Sequence, residues 1–311
     1  MRLLIIILLF SLNANGQIIN GSAPYRPFSV SSGGGGTFLL DSFTTANSAY
    51  SLRKLNSSYS GSAVRIRESG GNTESDIGFL SSGFFDTATF KTFVGVNSGY
   101  VVTWYDQSGN GNNVTQSTTS SQPLLTLNSK GLNPGIVFDG SNDVLDGGDV
   151  NDFMGLYLNN YIVATPTATN WGLVNKSYAG GVADRYGLIR DASVLYNILM
   201  IQTGSDLSSS SAFSATTIRL FEQYMNKQSD TNQLKANNTQ LSAFTSSIVD
   251  YDMNSTYSFL IGGYNNSSGA CCLSGYYFTG PIYEVVIYRK KWEGYQRSAI
   301  TNNINNHYSA Y

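Results

Sequence analysis

The sequence is poor in charge and in histidine. Of its 311 residues only 12% are charged, the formal net charge is −2, and His307 is the single histidine. One histidine cannot build a zinc site with several imidazole ligands. The longest run of Lys and Arg is Arg289-Lys290-Lys291, which is too short to indicate a nucleic-acid surface. A Gly-Lys-Ser phosphate loop and a dinucleotide fingerprint are also missing.

Long apolar runs are absent after the first few residues. Arg2, the apolar run from Leu3 to Phe10 and the small-residue exit Ala14-Asn-Gly16 form the pattern of a secretory signal peptide over residues 1–16. This run is too short to span a bilayer, and no later segment is apolar enough to do so. We therefore predict a secreted, extracellular protein without a membrane span. Residues 17–36 are predicted to be a flexible segment, because they include four consecutive glycines.

Asparagine is abundant and creates eight Asn-x-Ser/Thr sequons. In a eukaryote these could carry glycans, so a glycoprotein is one prediction. Chance is the alternative, since the chain is rich in Asn, Ser and Thr. The sequons begin at Asn20, Asn56, Asn113, Asn175, Asn237, Asn254, Asn265 and Asn266.

The chain is rich in aromatic residues (13%) and contains 32 glycines. Short alternating runs broken by Gly and Asn recur along it, as in Ala63-Val-Arg-Ile-Arg-Glu68. This pattern predicts an all-β fold, a jelly-roll β-sandwich of two antiparallel sheets, as a single domain over residues 37–311. Short marginal helices are predicted near residues 47–58, 86–94 and 292–308.

A series of motifs in the first half of the chain resembles a known family. The motifs are Ala49-Tyr-Ser-Leu-Arg-Lys-Leu55, Tyr59-Ser-Gly-Ser-Ala-Val-Arg-Ile-Arg67, Asp76-Ile-Gly-Phe79, Asp86-Thr-Ala-Thr-Phe90 and Trp104-Tyr-Asp-Gln-Ser-Gly-Asn-Gly-Asn112. In order and spacing, these motifs are similar to the front half of the catalytic domain of the fungal arabinofuranosidase B family, over about residues 40–125. The resemblance implies a concanavalin A-like or laminin-G-like sandwich.

The resemblance implies a retaining glycosidase, which needs two carboxyl groups. The family has an Asp acid/base after an Ile-Gly-Gly strand end, whereas here Tyr264 follows Gly263. Its Glu nucleophile lies upstream, where only Asp191 offers a carboxylate; Glu222 and Glu284 are the other candidates. Because a phenol cannot do the work of a carboxyl group, the sequence favours a protein that binds sugar without cleaving it.

Aromatic and amide side chains occur together in two places, and sugar sites combine ring stacking with such polar groups. The alternative for the first place, around Asp106, is a buried strand that ends in a self-bonded turn. The predicted glycan-binding residues are Trp104, Asp106, Gln107, Tyr264, Asn265, Tyr276 and Tyr277.

Two further features concern cysteine and aspartate. Cys271 and Cys272 are adjacent, and in a secreted protein we predict a disulfide between them, with free or intermolecular thiols as the alternative. The family also has an adjacent Cys pair, which lies beneath the sugar, but at a different place in the chain. The corresponding region here, Trp171-Gly-Leu-Val174, contains no cysteine. Asp139, Asp143 and Asp146 could bind Ca²⁺, but the sequence favours turn chemistry as their explanation. No other cofactor is expected.

Three classes of function remain from the sequence. The first is a secreted, non-catalytic carbohydrate-binding or adhesion module, whose partners would be extracellular polysaccharides or glycoprotein glycans. The second is an α-L-arabinofuranosidase-type retaining glycoside hydrolase. The third is a structural extracellular protein that self-associates. The sequence favours the first, because the front-half resemblance is strong while the catalytic positions differ.

Overall fold

The computed structural model describes residues 38–129, 133–152, 155–167, 171–176, 185–191, 194–200, 208–209, 217–229, 231–245, 256–266 and 271–311. The predicted signal peptide, the flexible segment and the sequons at Asn20 and Asn254 lie outside these residues. The described part is mostly antiparallel β-sheet with few helices, a β-sandwich as the sequence predicts. None of its helices is long and apolar enough to cross a membrane.

The described strands have two to ten residues each. Their bounds are β1 Ser48–Ser51, β2 Val64–Glu68, β3 Glu74–Ile77, β4 Gly99–Trp104, β5 Val114–Thr115, β6 Leu124–Ser129, β7 Asn133–Asp139, β8 Leu145–Asp146, β9 Tyr157–Ala164, β10 Trp171–Lys176, β11 Arg185–Asp191, β12 Val194–Met200, β13 Ser208–Ser209, β14 Arg219–Asn226, β15 Thr231–Ala236, β16 Thr239–Thr245, β17 Leu260–Ile261 and β18 Thr279–Tyr288.

Three α-helices occur among the described residues: α1 Leu39–Ser42, α2 Thr87–Val94 and α3 Gly294–Tyr308. Helix α2 begins where the Asp86 carboxylate accepts the Thr89 amide at 3.0 Å, an N-cap bond. Helix α3 begins with a capping box in which the Gln296 side chain accepts the Glu293 amide at 3.0 Å. The sequence predicted these last two helices.

The helix predicted over residues 47–58 is wrong. This segment begins with strand β1, which runs antiparallel to β18 with Ser48 opposite Ile287 and Ser51 opposite Glu284. Tyr50 and Leu52 pack into one core and Ala49 into another, which is the alternation of a strand. The long-range pairing with β18 outweighs the local helical pattern.

Two antiparallel sheets make the sandwich. The helix-side sheet has the order β16-β15-β14-β9-β18-β1. The groove-side sheet has the order β3-β2-β4-β5-β8-β17-β10-β11-β12-β13. The first half of β18 also pairs with β7, and β7 and β6 link it to β4. Strand β18 therefore joins the two sheets.

The larger core lies between the sheets and contains Trp104, Trp171, Phe138 and Tyr186, all at most 1% exposed. A second core lies on the other face of the helix-side sheet, where Ile300 and Ile304 of α3 pack on it. Burial of this kind contributes roughly 25 cal/mol for each Å² of apolar surface. Both faces of the helix-side sheet are thus covered, whereas the outer face of the groove-side sheet carries the site.

Candidate functional site

The candidate site is built around residues 271–276, which we call the cysteine loop. Cys271 and Cys272 are joined to each other by a disulfide, the pairing that the sequence predicts. The Leu273 amide donates to the Tyr264 carbonyl at 2.7 Å, and the Gly172 amide donates to the Tyr276 carbonyl at 2.9 Å. These two bonds fix the cysteine loop against the ends of β17 and β10.

Two glycines allow this close approach. A Cβ atom on Gly263 would lie 2.8 Å from the Cys272 sulfur, and one on Gly172 would lie 2.5 Å from the Gly263 carbonyl oxygen. Both distances are too short for a side chain to be added without displacing its neighbours. The Ile261-Gly-Gly263 motif is therefore needed here for packing.

A groove of about 450 Å³ opens beside the cysteine loop on the outer face of the groove-side sheet. It holds hydroxyl, amide and carboxylate groups around one apolar side chain. Its carboxylate is that of Asp146, whose Oδ1 also accepts the Gly148 amide at 2.7 Å. The lining residues are Thr115, Gln116, Ser117, Val144, Asp146, Gly148 and Cys271.

Sequence reasoning missed most of this groove. Thr115, Gln116 and Ser117 belong to a polar stretch without a motif, and Asp146 was considered only for calcium. The usable signal was the alternation in β5 and β8: Val114 and Leu145 face the core, so the residues that follow them face outward.

The predicted glycan-binding residues near the cysteine loop are only partly accessible. Tyr264 is 5% exposed, and its ring packs against Tyr276 with the ring centres 5.8 Å apart. Asn265 is fully buried and donates to the Ser258 carbonyl at 2.9 Å. Tyr276 and Tyr277 are half-buried. The two half-buried tyrosines therefore remain the better candidates for contact with a sugar ring.

Three further predicted glycan-binding residues, Trp104, Asp106 and Gln107, are 0%, 4% and 1% exposed. Trp104 lies in the core between the sheets. Gln107 accepts the Leu55 amide at 2.8 Å and donates to the Ser51 and Arg53 carbonyls. These contacts favour the alternative of a buried strand with a self-bonded turn, and a glycan-binding role for the three residues stays a prediction.

Two of the candidate catalytic carboxylates, Glu222 and Glu284, are held by ion pairs. Glu284 is fully buried, and its carboxylate accepts two hydrogen bonds from the Arg53 guanidinium, of 2.7 and 2.8 Å. Glu222 is 4% exposed and pairs with Arg297 at 3.1 Å and with Lys235 at 3.4 Å. Both lie in the helix-side sheet, away from the groove face. Their contacts suit a structural role.

Asp191 remains a sequence prediction. It ends strand β11, where its backbone pairs with Val194 of β12. Strand β11 is two strands from β17 in the groove-side sheet, with β10 between them. Nothing further about its side chain follows from the described structure.

The side chains of the calcium candidates accept hydrogen bonds from backbone amides within their own turns. Asp139 Oδ1 accepts the Ser141 amide at 2.7 Å, and Asp143 Oδ2 accepts the Asp139 amide at 2.9 Å. Burial, together with the nearby Asp139 charge, raises the pKa of Asp143 to about 6. Within the described residues no three His, Cys, Asp or Glu side chains come together as metal ligands.

Comparison with known proteins gives a family match and a fold. Residues 41–132 match the family model described as alpha-L-arabinofuranosidase B, catalytic. Among solved structures, a GH54 α-L-arabinofuranosidase soaked with a cyclic sulfate inhibitor is 15% identical with a TM-score of 0.64. An arabinofuranosidase complexed with arabinofuranosyl-α-1,2-xylobiose is 15% identical with a TM-score of 0.63. None of the curated proteins matches the chain.

Both alignments cover 86% of this chain and 64% of the solved chain. The chain thus spans less than two thirds of the length of these neighbours. At 15% identity the likeness establishes the fold, and the family match rests on residues 41–132.

These findings correct the preferred interpretation from the sequence. A non-catalytic binding or adhesion module is contradicted, because the matched segment is a catalytic-domain segment and the fold is that of arabinofuranosidases. Of the functions considered, the glycoside hydrolase alternative is the one that they support.

Proposed function

We propose that this protein is an α-L-arabinofuranosidase-type glycoside hydrolase that acts in the groove beside the cysteine loop. The observation that carries the proposal is the match of residues 41–132 to the arabinofuranosidase B catalytic domain. The fold is consistent with it. We further propose that the enzyme acts outside the cell, since residues 1–16 read as a signal peptide.

The substrate class we propose is an arabinofuranosyl group linked to a xylose-containing chain, the kind of ligand bound in one structural neighbour. Hydroxyl and amide groups at Thr115, Gln116 and Ser117 would hydrogen-bond the sugar, and the cysteine loop would give it a flat contact. These groups bind and orient the substrate. The bond-breaking step requires carboxyl groups.

Retaining hydrolysis needs one carboxyl group as nucleophile and a second as acid/base. Asp146 lines the groove, and we propose it as one member of the pair. Asp191 of β11 is separated from Asp146 of β8 by three strand-to-strand steps, or at least about 14 Å. A retaining pair needs about 5–5.5 Å, so we do not propose Asp191 as the second member. The nucleophile would attack the anomeric carbon while the other carboxyl protonates the departing oxygen; water then releases the sugar.

The test is release of 4-nitrophenol from 4-nitrophenyl α-L-arabinofuranoside by the purified wild-type protein. Asp146→Asn should lower kcat by at least about 100-fold, the usual contribution of an acid/base group. Glu74→Gln is the control, because Glu74 is an exposed carboxylate on β3 outside the groove. It should keep full activity.

Two outcomes would be informative in opposite ways. No hydrolysis of any arabinofuranoside by the folded wild-type protein would refute the proposed function. Hydrolysis that survives in Asp146→Asn would keep the function and reject Asp146 as a catalytic residue.

A further inference from the structure

A row of residues crosses the outer face of the groove-side sheet. Strand register sets Asp76 opposite Arg65, Arg65 opposite Thr103, Thr103 opposite Thr115, and Thr115 opposite Asp146. Directly opposed residues of antiparallel strands point to the same face. Their chain neighbours Val64, Trp104, Val114 and Leu145 are in the core, so the row faces outward.

One end of this row lies in the groove, since Thr115 and Asp146 line it. The other end is a surface cluster that we call the Arg65 cluster, composed of Arg65, Asp76 and Tyr105. Three strand-to-strand steps separate Asp146 in the groove from Arg65 in the cluster, which is about 14 Å at the usual strand spacing. That distance suits a short oligosaccharide that leaves the groove across the sheet.

The Arg65 cluster is rigid although it is exposed. Arg65 donates to both oxygens of Asp76, at 2.9 and 3.0 Å, and the Tyr105 hydroxyl donates to Asp76 Oδ1 at 2.8 Å. The Arg65 and Asp76 side chains are 43% and 38% exposed. The hydrogen bonds from Arg65 hold the pKa of Asp76 below its usual value, so the carboxylate stays ionised at neutral pH.

The pair is bidentate and directly opposed across β2 and β3, so it contributes roughly 0.2–1 kcal/mol to the sheet. Its chemistry resembles that of sugar sites, where a tyrosine ring stacks on a sugar face and charged groups bond its hydroxyls. The Arg65 side chain is 43% exposed, so part of it is accessible to a ligand. Burial, followed by the Asp106 charge and then by Tyr105 and Asp76, raises the pKa of the nearby half-buried Tyr59.

We propose that the Arg65 cluster is a second sugar subsite, which holds the uncleaved part of the carbohydrate chain whose branch is cut in the groove. This inference rests on the proposed function. Between the two sites Thr115 is exposed on this face, whereas Thr103 is only 9% exposed. The occupant is neutral carbohydrate, because the cluster carries one positive and one negative charge and offers hydrogen bonds rather than a net field.

The experiment compares two substrates. Arg65→Ala and Tyr105→Ala should raise KM on a xylan with α-L-arabinofuranosyl branches roughly tenfold, the loss of about one charged hydrogen bond or ring contact. Both should leave kcat/KM on 4-nitrophenyl α-L-arabinofuranoside unchanged, since that substrate fills only the groove. Lys91→Ala, an exposed cation on α2, is the matched control and should behave as wild type on both.

A binding measurement separates this inference from the proposed function. In affinity electrophoresis through the same xylan, the wild-type protein should be retarded and the two variants should migrate freely, whether or not any hydrolysis occurs. Unchanged retardation and unchanged KM in both variants would show that the Arg65 cluster is a surface ion pair only. Equal losses on both substrates would mean a folding defect, and thermal melts of the variants identify it.

Discussion

Asp106 links three parts of the chain through one buried carboxylate. Its Oδ1 accepts the amides of Ala49, in β1, and of Ser108, at 2.8 and 2.9 Å. Its Oδ2 accepts the Ser108 hydroxyl at 2.7 Å and the Asn112 amide at 3.1 Å. The carboxylate thus holds strand β1 against the turn that follows β4.

Replacing Asp106 with Ala should lower the free energy of unfolding by roughly 1–3 kcal/mol, because it leaves buried amides without an acceptor. Chemical denaturation of the variant and the wild type measures the change. Asp41→Ala is the control, since Asp41 is exposed and accepts a single amide, that of Ser57. A stability equal to wild type, with a loss of sugar binding instead, would restore the ligand-facing interpretation.

Asp143 should make stability depend on pH in an unusual direction. Burial and the Asp139 charge raise its folded pKa to about 6, whereas an unfolded Asp titrates near 3.9. Between these values the folded state binds the extra proton, so stability falls as pH rises from about 4 to 6. Removing the charge should therefore stabilise the protein above pH 6.

The corresponding variant is Asp143→Asn, whose amide oxygen can still accept the Asp139 amide. Its melting temperature should exceed that of wild type at pH 7, with a gain of about 2 kcal/mol, and the two should converge near pH 4. Asp41→Asn serves as the exposed control. An equal difference in melting temperature between variant and wild type at pH 7 and at pH 4 would show that the Asp143 charge is not its cause.

At the scale of elements, strand β18 and helix α3 depend on one buried ion pair. The Glu284 carboxylate of β18 accepts hydrogen bonds from the Arg53 guanidinium, from the Ser51 hydroxyl at 2.8 Å and from the Tyr308 hydroxyl of α3 at 3.1 Å. Burial raises the pKa of Glu284, but the charge and hydrogen bonds of Arg53 outweigh it, and the net pKa is below the usual value. The pair therefore contributes stability above about pH 4, which is lost as pH falls through the folded pKa.

Glu284→Gln should destabilise the fold by about 3–5 kcal/mol at pH 7, because Arg53 stays buried without its counter-charge. The second variant, Arg53→Met with Glu284→Leu, removes both charges and should recover most of that loss. Denaturation curves of both variants test the pair. A single variant as stable as wild type would show that Arg53 finds another partner.

The elements could be predicted where their signal was local. The Asp86 cap and the Glu293-to-Gln296 spacing mark the starts of α2 and α3 in the sequence itself. Strand β1 could not be found in this way, because its partner β18 lies more than 230 residues away along the chain. The Asp106 turn was visible as a motif, but only burial shows that its polar groups point inward.

At the scale of the whole molecule, the family match covers only one wall of the groove. Thr115, Gln116 and Ser117 lie within residues 41–132, whereas Asp146 and Cys271 lie outside them. The fold could be predicted because alternation and turn residues repeat along the chain. The groove could not, because it forms where β5, β8 and the cysteine loop meet, and no local pattern encodes that meeting.

The matched segment should therefore not fold alone. Strand β1 has its partner in β18, and Tyr50 stacks on Phe259 at 6.4 Å between ring centres, so both would lose their contacts in a fragment of residues 38–132. Trp104, which packs on Tyr50 at 5.8 Å, would be exposed as well. We expect the fragment to show no cooperative thermal transition by circular dichroism, while the full chain melts in one step. A sigmoidal melt and dispersed amide resonances from the fragment would mean that it is an independent domain, and the groove would then be an interface between two folding units.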